Sequence, residues 1–141
     1  FLIGPDAEKA GTILHGTEAV LTTTESTVPW TTVMIRKSFG VAAAAHYGPD
    51  GYVLAWPSAE SGPLPLEGGV AVAFKKEISE AEDPEAKRKE LEEKMAKNQN
   101  PFPRAEAFSV HEIIDPRETR KYISLWAERI QSQLKASLMS R

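Results

Sequence analysis

The sequence contains no cysteine. Disulfides, thiolate metal sites, iron–sulfur clusters and cysteine nucleophiles are therefore excluded. It also lacks any apolar run near the ~18 residues that a membrane span requires, and no charged-then-apolar signal segment opens it. The lack of cysteine fits a cytoplasmic setting. Histidine is scarce: His15, His46 and His111 stand far apart, and His111-Glu112 lacks the second histidine of an H-E-x-x-H zinc helix. No G-x-S-x-G elbow, P-loop or dinucleotide G-x-G-x-x-G occurs. An excess of one charge is missing too, with 17 Lys+Arg against 20 Asp+Glu, which argues against a binder of nucleic-acid backbones. What remains is 141 residues, 41% hydrophobic and 26% charged, the composition of an ordinary globular domain or part of one.

The chain opens on Phe1-Leu2-Ile3-Gly4-Pro5, which reads as the tail of a strand breaking into a turn and predicts further chain upstream. Asp6 is placed to cap a helix from Ala7, with Glu8 in its first turn. Ala10, Ile13, Leu14, Val20 and Leu21 recur at helical spacing, interrupted by Gly11 and Gly16, which mark close packing. Residues 31–35 are β-branched and continuous, which predicts a strand buried on both faces. Residues 36–40 predict a strand and a glycine turn, and 41–45 a small-residue helix. Residues 48–51 form a turn, and 52–56 a strand stopped at Pro57. Residues 58–65 read as a loop, and a second small-residue helix runs from near Glu67 to Phe74.

The last third changes character. Asp83-Pro84 and Asp115-Pro116 each place a capping acid before a proline at the first helical position, and Glu118 stands where a capping box has its acid. The helix from Asp83 through Lys97 carries Lys and Glu on most faces and reads as a solvated connector. Tyr122, Trp126, Ile130 and Leu134 form a stripe that must pack on a core or a partner subunit. Strands separated by helices indicate an α/β layer fold, with too few strands to close a sheet without neighbouring chain.

Chemistry is best placed at the Gly40 turn. A helix leaves its first N–H groups without intrahelical partners, and a strand delivering the chain there through a glycine lets them face a developing oxyanion. The alanines after Val41 leave room for a ligand. Glu67-Gly68-Gly69 repeats the arrangement, although Gly–Ala helices also serve simply to pack backbones closely. Arg36-Lys37 and Lys75-Lys76 are basic pairs suited to coenzyme phosphates or to plain solvation.

Several ordered motifs carry a resemblance. Phe1-Leu2-Ile3-Gly4-Pro5, Val28-Pro29 through Ile35-Arg36-Lys37, Ser38-Phe39-Gly40-Val41-Ala42 and Ala55-Trp56-Pro57-Ser58-Ala59-Glu60 are four of them. Glu67-Gly68-Gly69-Val70, Asn100-Pro101-Phe102-Pro103-Arg104-Ala105 and Ile113-Ile114-Asp115-Pro116 with Thr119-Arg120 follow. They resemble the C-terminal part of the carboxyltransferase (β) subunit of biotin-dependent acyl-CoA carboxylases, of the acetyl- and propionyl-CoA type. Its patterns there read "V-P…V-I-x-R-K", "A-Y-G-G-A", "A-W-P-T-A-E", "G-A-x-G-A-V" and "N-P-[FY]-x-A-A…I-I-x-P-x-x-T-R".

The resemblance implies a crotonase-like (ClpP/crotonase) ββα superhelix, incomplete, the latter part of a carboxyltransferase C domain. Residues 1–78 would be its core part and 79–141 its helical C-terminal part. It implies transfer of a carboxyl group from carboxybiotin to the α-carbon of an acyl-CoA, with no metal in this part. The N–H groups of Val41 and Ala42, set up by Gly40, would form the biotin-side oxyanion hole. Phe39, Gly40, Val41, Ala42, Gly68 and Gly69 would line the biotin side. Implied partners are the N-terminal part of the carboxyltransferase, the biotin carboxyl carrier protein, biotin carboxylase and further copies in a trimer of dimers. Val41 departs from the pattern's second glycine, Ala43 replaces an aromatic, and the stretch from Gly40 to Trp56 is shorter. Two alternatives stay open: a non-catalytic structural or assembly module, and a biotin-independent crotonase-like acyl-CoA decarboxylase.

Overall fold

The computed structural model describes residue 2 and residues 4–139. The strand tail expected at Phe1 and Ile3 lies outside them. Proline and glycine, not aspartate, start the first helix. α1 (Pro5–Lys9) has Gly4 as its cap and Pro5 at the first position, where its fixed φ suits a helix. Asp6 therefore sits inside the first turn beside Glu8, favoured by the helix dipole. Gly11, at φ 83°, breaks the expected single helix and begins α2 (Thr12–Thr24). Gly16 lies buried within it.

Two parallel ββα units follow. In the first, β1 (Thr31–Met34) leads to β2 (Lys37–Phe39) and α3 (Gly40–Ala44). In the second, β3 (Tyr52–Ala55) leads to β4 (Glu60–Gly62) and α4 (Leu66–Ala73). β1 pairs with β3 from Thr31↔Tyr52 to Met34↔Ala55, and β2 pairs with β4 from Lys37↔Glu60 to Phe39↔Gly62. Between the sheets the register continues through Trp56 N to Met34 O at 2.9 Å and Glu60 N to Arg36 O at 2.8 Å. β4 occupies part of the stretch expected to be loop. Its Glu-Ser-Gly sequence has no strand propensity, so pairing with β2 imposes the conformation.

β5 (Glu112–Ile113) pairs with the far edge of β3, giving the sheet order β1-β3-β5. The portion expected to be helical thus also carries a strand. β3 is the central strand, with Val53, Leu54 and Ala55 all buried. Met34, Val53, Ala55, Ala59 and Val110 form the core cluster on one of its faces.

The helical remainder starts with α5 (Lys75–Ser79). Asp83 caps α6 (Pro84–Gln99) as expected, its Oδ1 accepting from Glu85 N at 3.1 Å and Ala86 N at 3.0 Å. α6 is more than a connector, because Leu91 and Gln99 are buried. Asn100 caps α7 (Pro101–Glu106). Asp115 caps a 3-10 turn (Pro116–Glu118) that runs into α8 (Thr119–Met139). Glu118 completes no capping box: it takes the Nζ of Lys121 at 2.9 Å instead. Trp56 Nε1 donates to Thr119 Oγ1 at 2.9 Å, holding the start of α8 to β3. Tyr122, Trp126 and Ile130 are half-buried, whereas Leu134 is exposed.

The molecule exposes 10265 Å². A compact monomer of its 15.5 kDa mass exposes roughly 7,200 Å².

Candidate functional site

β2 delivers Phe39 in extended conformation, φ −122° and ψ 146°, to the start of α3. Gly40 then turns the chain at φ 69°, a backbone region that costs an L side chain about 1–2 kcal/mol. The leading N–H groups of α3, among them those of Val41 and Ala42, are left without intrahelical acceptors. Val41 is 73% exposed, and a Cβ added to Gly40 would meet only the Pro63 carbonyl oxygen, at 3.6 Å.

Three clefts surround this turn. An apolar cleft of about 420 Å³ lies between α2 (Ile13, Gly16, Val20) and Val41-Ala42. A smaller one of about 230 Å³ lies against Gly40, Ala43 and Ala44 and is bordered by Arg104. A wider groove of about 600 Å³ runs past Arg36, Lys37, His46 and Ala42.

The expected site residues fall into two groups. Phe39, Gly40, Val41 and Ala42 are contiguous at the β2–α3 junction. Gly68, at φ 82°, and Gly69 lie in the first turn of α4. One segment joins the groups: Pro63 faces Gly40, and Leu64 Cβ would stand 2.9 Å from a Cβ on Gly69. Any larger residue at position 69 would collide with it.

Sequence reasoning missed the side chains that hold this segment. Gln99 Nε2 donates to Leu64 O at 2.9 Å, and Arg104 Nη2 donates to Ser61 O at 3.3 Å. Tyr47 shares a 2.9 Å hydrogen bond with Ser38 and donates to Met34 Sδ at 3.3 Å, tying the end of α3 to β1 and β2. A signal for Arg104 existed, since it stands where the resembled pattern has alanine. Gln99 had none, because its partner is remote in sequence.

Among the described residues no three His, Asp or Glu side chains gather as a metal-ligating group would, and the three histidines lie in separate surroundings. His15 pairs with Glu18 on α2. The His46 carbonyl accepts from Thr32. His111 Nδ1 accepts from Val53 N at 3.0 Å, which fixes its neutral tautomer with the proton on Nε2. Lys76 faces Glu80 at 3.9 Å on the solvated α5.

Groups with shifted ionisation line none of the three clefts. Asp115 is lowered to about 2 by the Arg117 guanidinium and backbone N–H. Tyr52 is pushed up to about 12, first by burial and then by its hydrogen bond to Glu112. A raised acid pKa means this tyrosine favours the folded state fully below 10.0, its ordinary value, and loses that contribution as pH rises through about 12. In E112Q, tyrosinate absorbance should show Tyr52 titrating at lower pH, still above its ordinary value because burial remains. The turn itself thus offers backbone donors, small side chains and open space. Such a site stabilises developing negative charge without a side-chain acid or base.

The carboxyl transferase domain model matches residues 1–139. The chain is 36% identical over 141 residues to the propionyl-CoA carboxylase carboxyltransferase subunit of Haloferax mediterranei, covering 96% of this chain and 27% of that protein. It is 37% identical over 128 residues to the methylmalonyl-CoA decarboxylase α subunit of Propionigenium modestum, covering 87% and 25%. Among solved structures, the transcarboxylase 12S hexamer with methylmalonyl-coenzyme A and methylmalonic acid bound matches with a TM-score of 0.83 at 37% identity, over 94% of this chain and 26% of that one. The chain thus spans about a quarter of the length of these relatives. The likeness also shows the fold, crotonase-like α/β.

Proposed function

The chain belongs to the carboxyl transferase domain family, and on that premise we propose that it supplies the biotin-side part of a site that moves a carboxyl group to the α-carbon of an acyl-CoA. The observation that carries this reading is the Gly40 turn, which leaves the N–H groups of Val41 and Ala42 at the edge of open clefts. Backbone donors fixed by a helix start need no reorganisation when charge develops, and removing one such donor typically costs about 10²–10³ in rate. Val41, in place of glycine, keeps its N–H and narrows the cleft with its side chain.

The residues fit biotin as a ligand. Gly40 has space on its open side, Gly68 has no atom within 4 Å of an added Cβ, and the apolar cleft beside Val41 has room for a bicyclic ring. Phe39, Gly40, Val41 and Ala42 would hold it, with Gly68 and Gly69 keeping the neighbouring turn close. When bound, biotin supplies the nitrogen that carries the carboxyl group. The acyl-CoA would be held mainly by the N-terminal part of a partnering subunit. Carrier protein, biotin carboxylase and further copies complete the assembly, and the surface in excess of a compact monomer supports extensive coverage by such partners. Residues 1–78 form the core part in this reading and 79–141 its buttress; no described helix is long and apolar enough to cross a membrane, and we place the protein in the cytoplasm.

The test is decarboxylation of malonyl-CoA and methylmalonyl-CoA by this chain assembled with the N-terminal part. Turnover that requires biotin is the expected result. Equal turnover without biotin would favour a biotin-independent decarboxylase. No turnover from a folded assembly would favour a structural module.

A further inference from the structure

Arg104 is half-buried, and no described carboxylate pairs with it. Its one bond is the 3.3 Å contact to the Ser61 carbonyl, which uses little of a guanidinium's five donors. A cation held partly out of water without a counter-charge is unfavourable. Beside it, Ser61 is 5% exposed, and its hydroxyl has no hydrogen-bond partner among the described residues. Both border the cleft of about 230 Å³, whose walls include Ser38, Tyr47 and Ser109 and no Asp or Glu. Tyr47 gives its proton to Met34 Sδ, a weak acceptor that a better one displaces. The remaining wall toward α3 is small, with Gly40, Ala43 and Ala44 leaving the space open.

A cation and hydroxyl donors around a small anion-free cleft match one ligand chemistry. We propose that this cleft binds a small oxyanion, the size of bicarbonate or phosphate, on the Arg104 guanidinium and the Ser61 hydroxyl. The motif resembled by residues 100–105 has alanine at position 104, so the guanidinium is a feature of this chain rather than of the pattern. The inference is independent of carboxyl transfer, since it concerns the other side of α3 from the apolar cleft.

The experiment titrates the full chain with bicarbonate and, separately, phosphate at constant ionic strength, following the backbone amide signals of Gly40, Ser61 and Gly62. Saturable shifts are expected with at least one anion, weakened about tenfold or more in R104Q, as loss of a charge-assisted hydrogen bond implies. R104K should retain part of the affinity. Preference for bicarbonate would identify a planar carboxylate-type ligand, and preference for phosphate a tetrahedral one. If R104Q fails to fold, S61A carries the test, because it keeps the Arg104 clamp and should still weaken binding. Linear shifts with both anions, or an unchanged curve in folded R104Q or S61A, would overturn the proposal. Turnover is not read, so a failed carboxyl-transfer assay leaves the result unaffected.

Discussion

Under the proposed carboxyl transfer, in which the Val41 N–H serves as an oxyanion donor, Val41→Pro is expected to lower biotin-dependent turnover of the assembled protein by about 10²–10³-fold. The substitution removes little else. Position 41 is the second residue of α3, within the first turn, where proline has no carbonyl four residues back to collide with and its fixed φ suits a helix. The valine side chain is 73% exposed, so little packing is lost. The restriction that proline places on its predecessor falls on Gly40, whose φ of 69° makes it the residue to watch, and circular dichroism should confirm an intact fold. Val41→Ala keeps the N–H and should stay within a few-fold of the parent. Full activity in the proline variant would remove this N–H from the mechanism. Equal losses in both variants would point to the side chain instead.

The largest stability effect is expected from Leu54→Ala, about 2–5 kcal/mol in urea denaturation. Leu54 is fully buried in the middle of β3, with β1 hydrogen-bonded on one side and β5 on the other. Backbone pairing on both edges limits how far the strand can shift to fill the void, which places the cost toward the upper end. A domain has only about 5–15 kcal/mol in hand, so the variant approaches the unfolding threshold. Val72→Ala, on a 77% exposed side chain of α4, should change stability by no more than about 0.5 kcal/mol. Similar losses in the two variants would contradict a core centred on β3.

The elements that local chemistry decides were legible in the sequence. Asp83-Pro84 announced α6, the run at 31–35 announced β1, and Gly40 announced the turn from strand to helix. That run is less covered than expected: Thr31, Thr32 and Val33 are half-buried rather than covered on both faces, and Ile35 is exposed. The boundaries that depend on partners were not. Glu60-Ser61-Gly62 becomes a strand only because Lys37-Ser38-Phe39 lies beside it. Glu118 abandons the capping box for a lysine one turn on, and Asp6 yields to a proline that is already pre-set for helix. At the candidate site, the glycine turn was visible while its supports were not: Gln99 and Arg104 reach back across remote stretches of chain, and no window of neighbouring residues reports such a contact. The role of the Val41 and Ala42 N–H groups rests on resemblance together with that turn.

The bonds between β3 and the end of the chain set an order on biosynthesis. Tyr52 hydrogen-bonds to Glu112, sixty residues later, and Trp56 to Thr119, sixty-three later. A nascent chain can therefore pair β1 with β3 early, yet one edge of β3 stays bare until residues 112–119 have left the ribosome. Distant closures of this kind carry a large loop entropy and form slowly. During that interval the buried residues of β3 lack part of their cover, so any translation pause that delays the emergence of residues 112–119 lengthens the period in which the chain is open to misassociation.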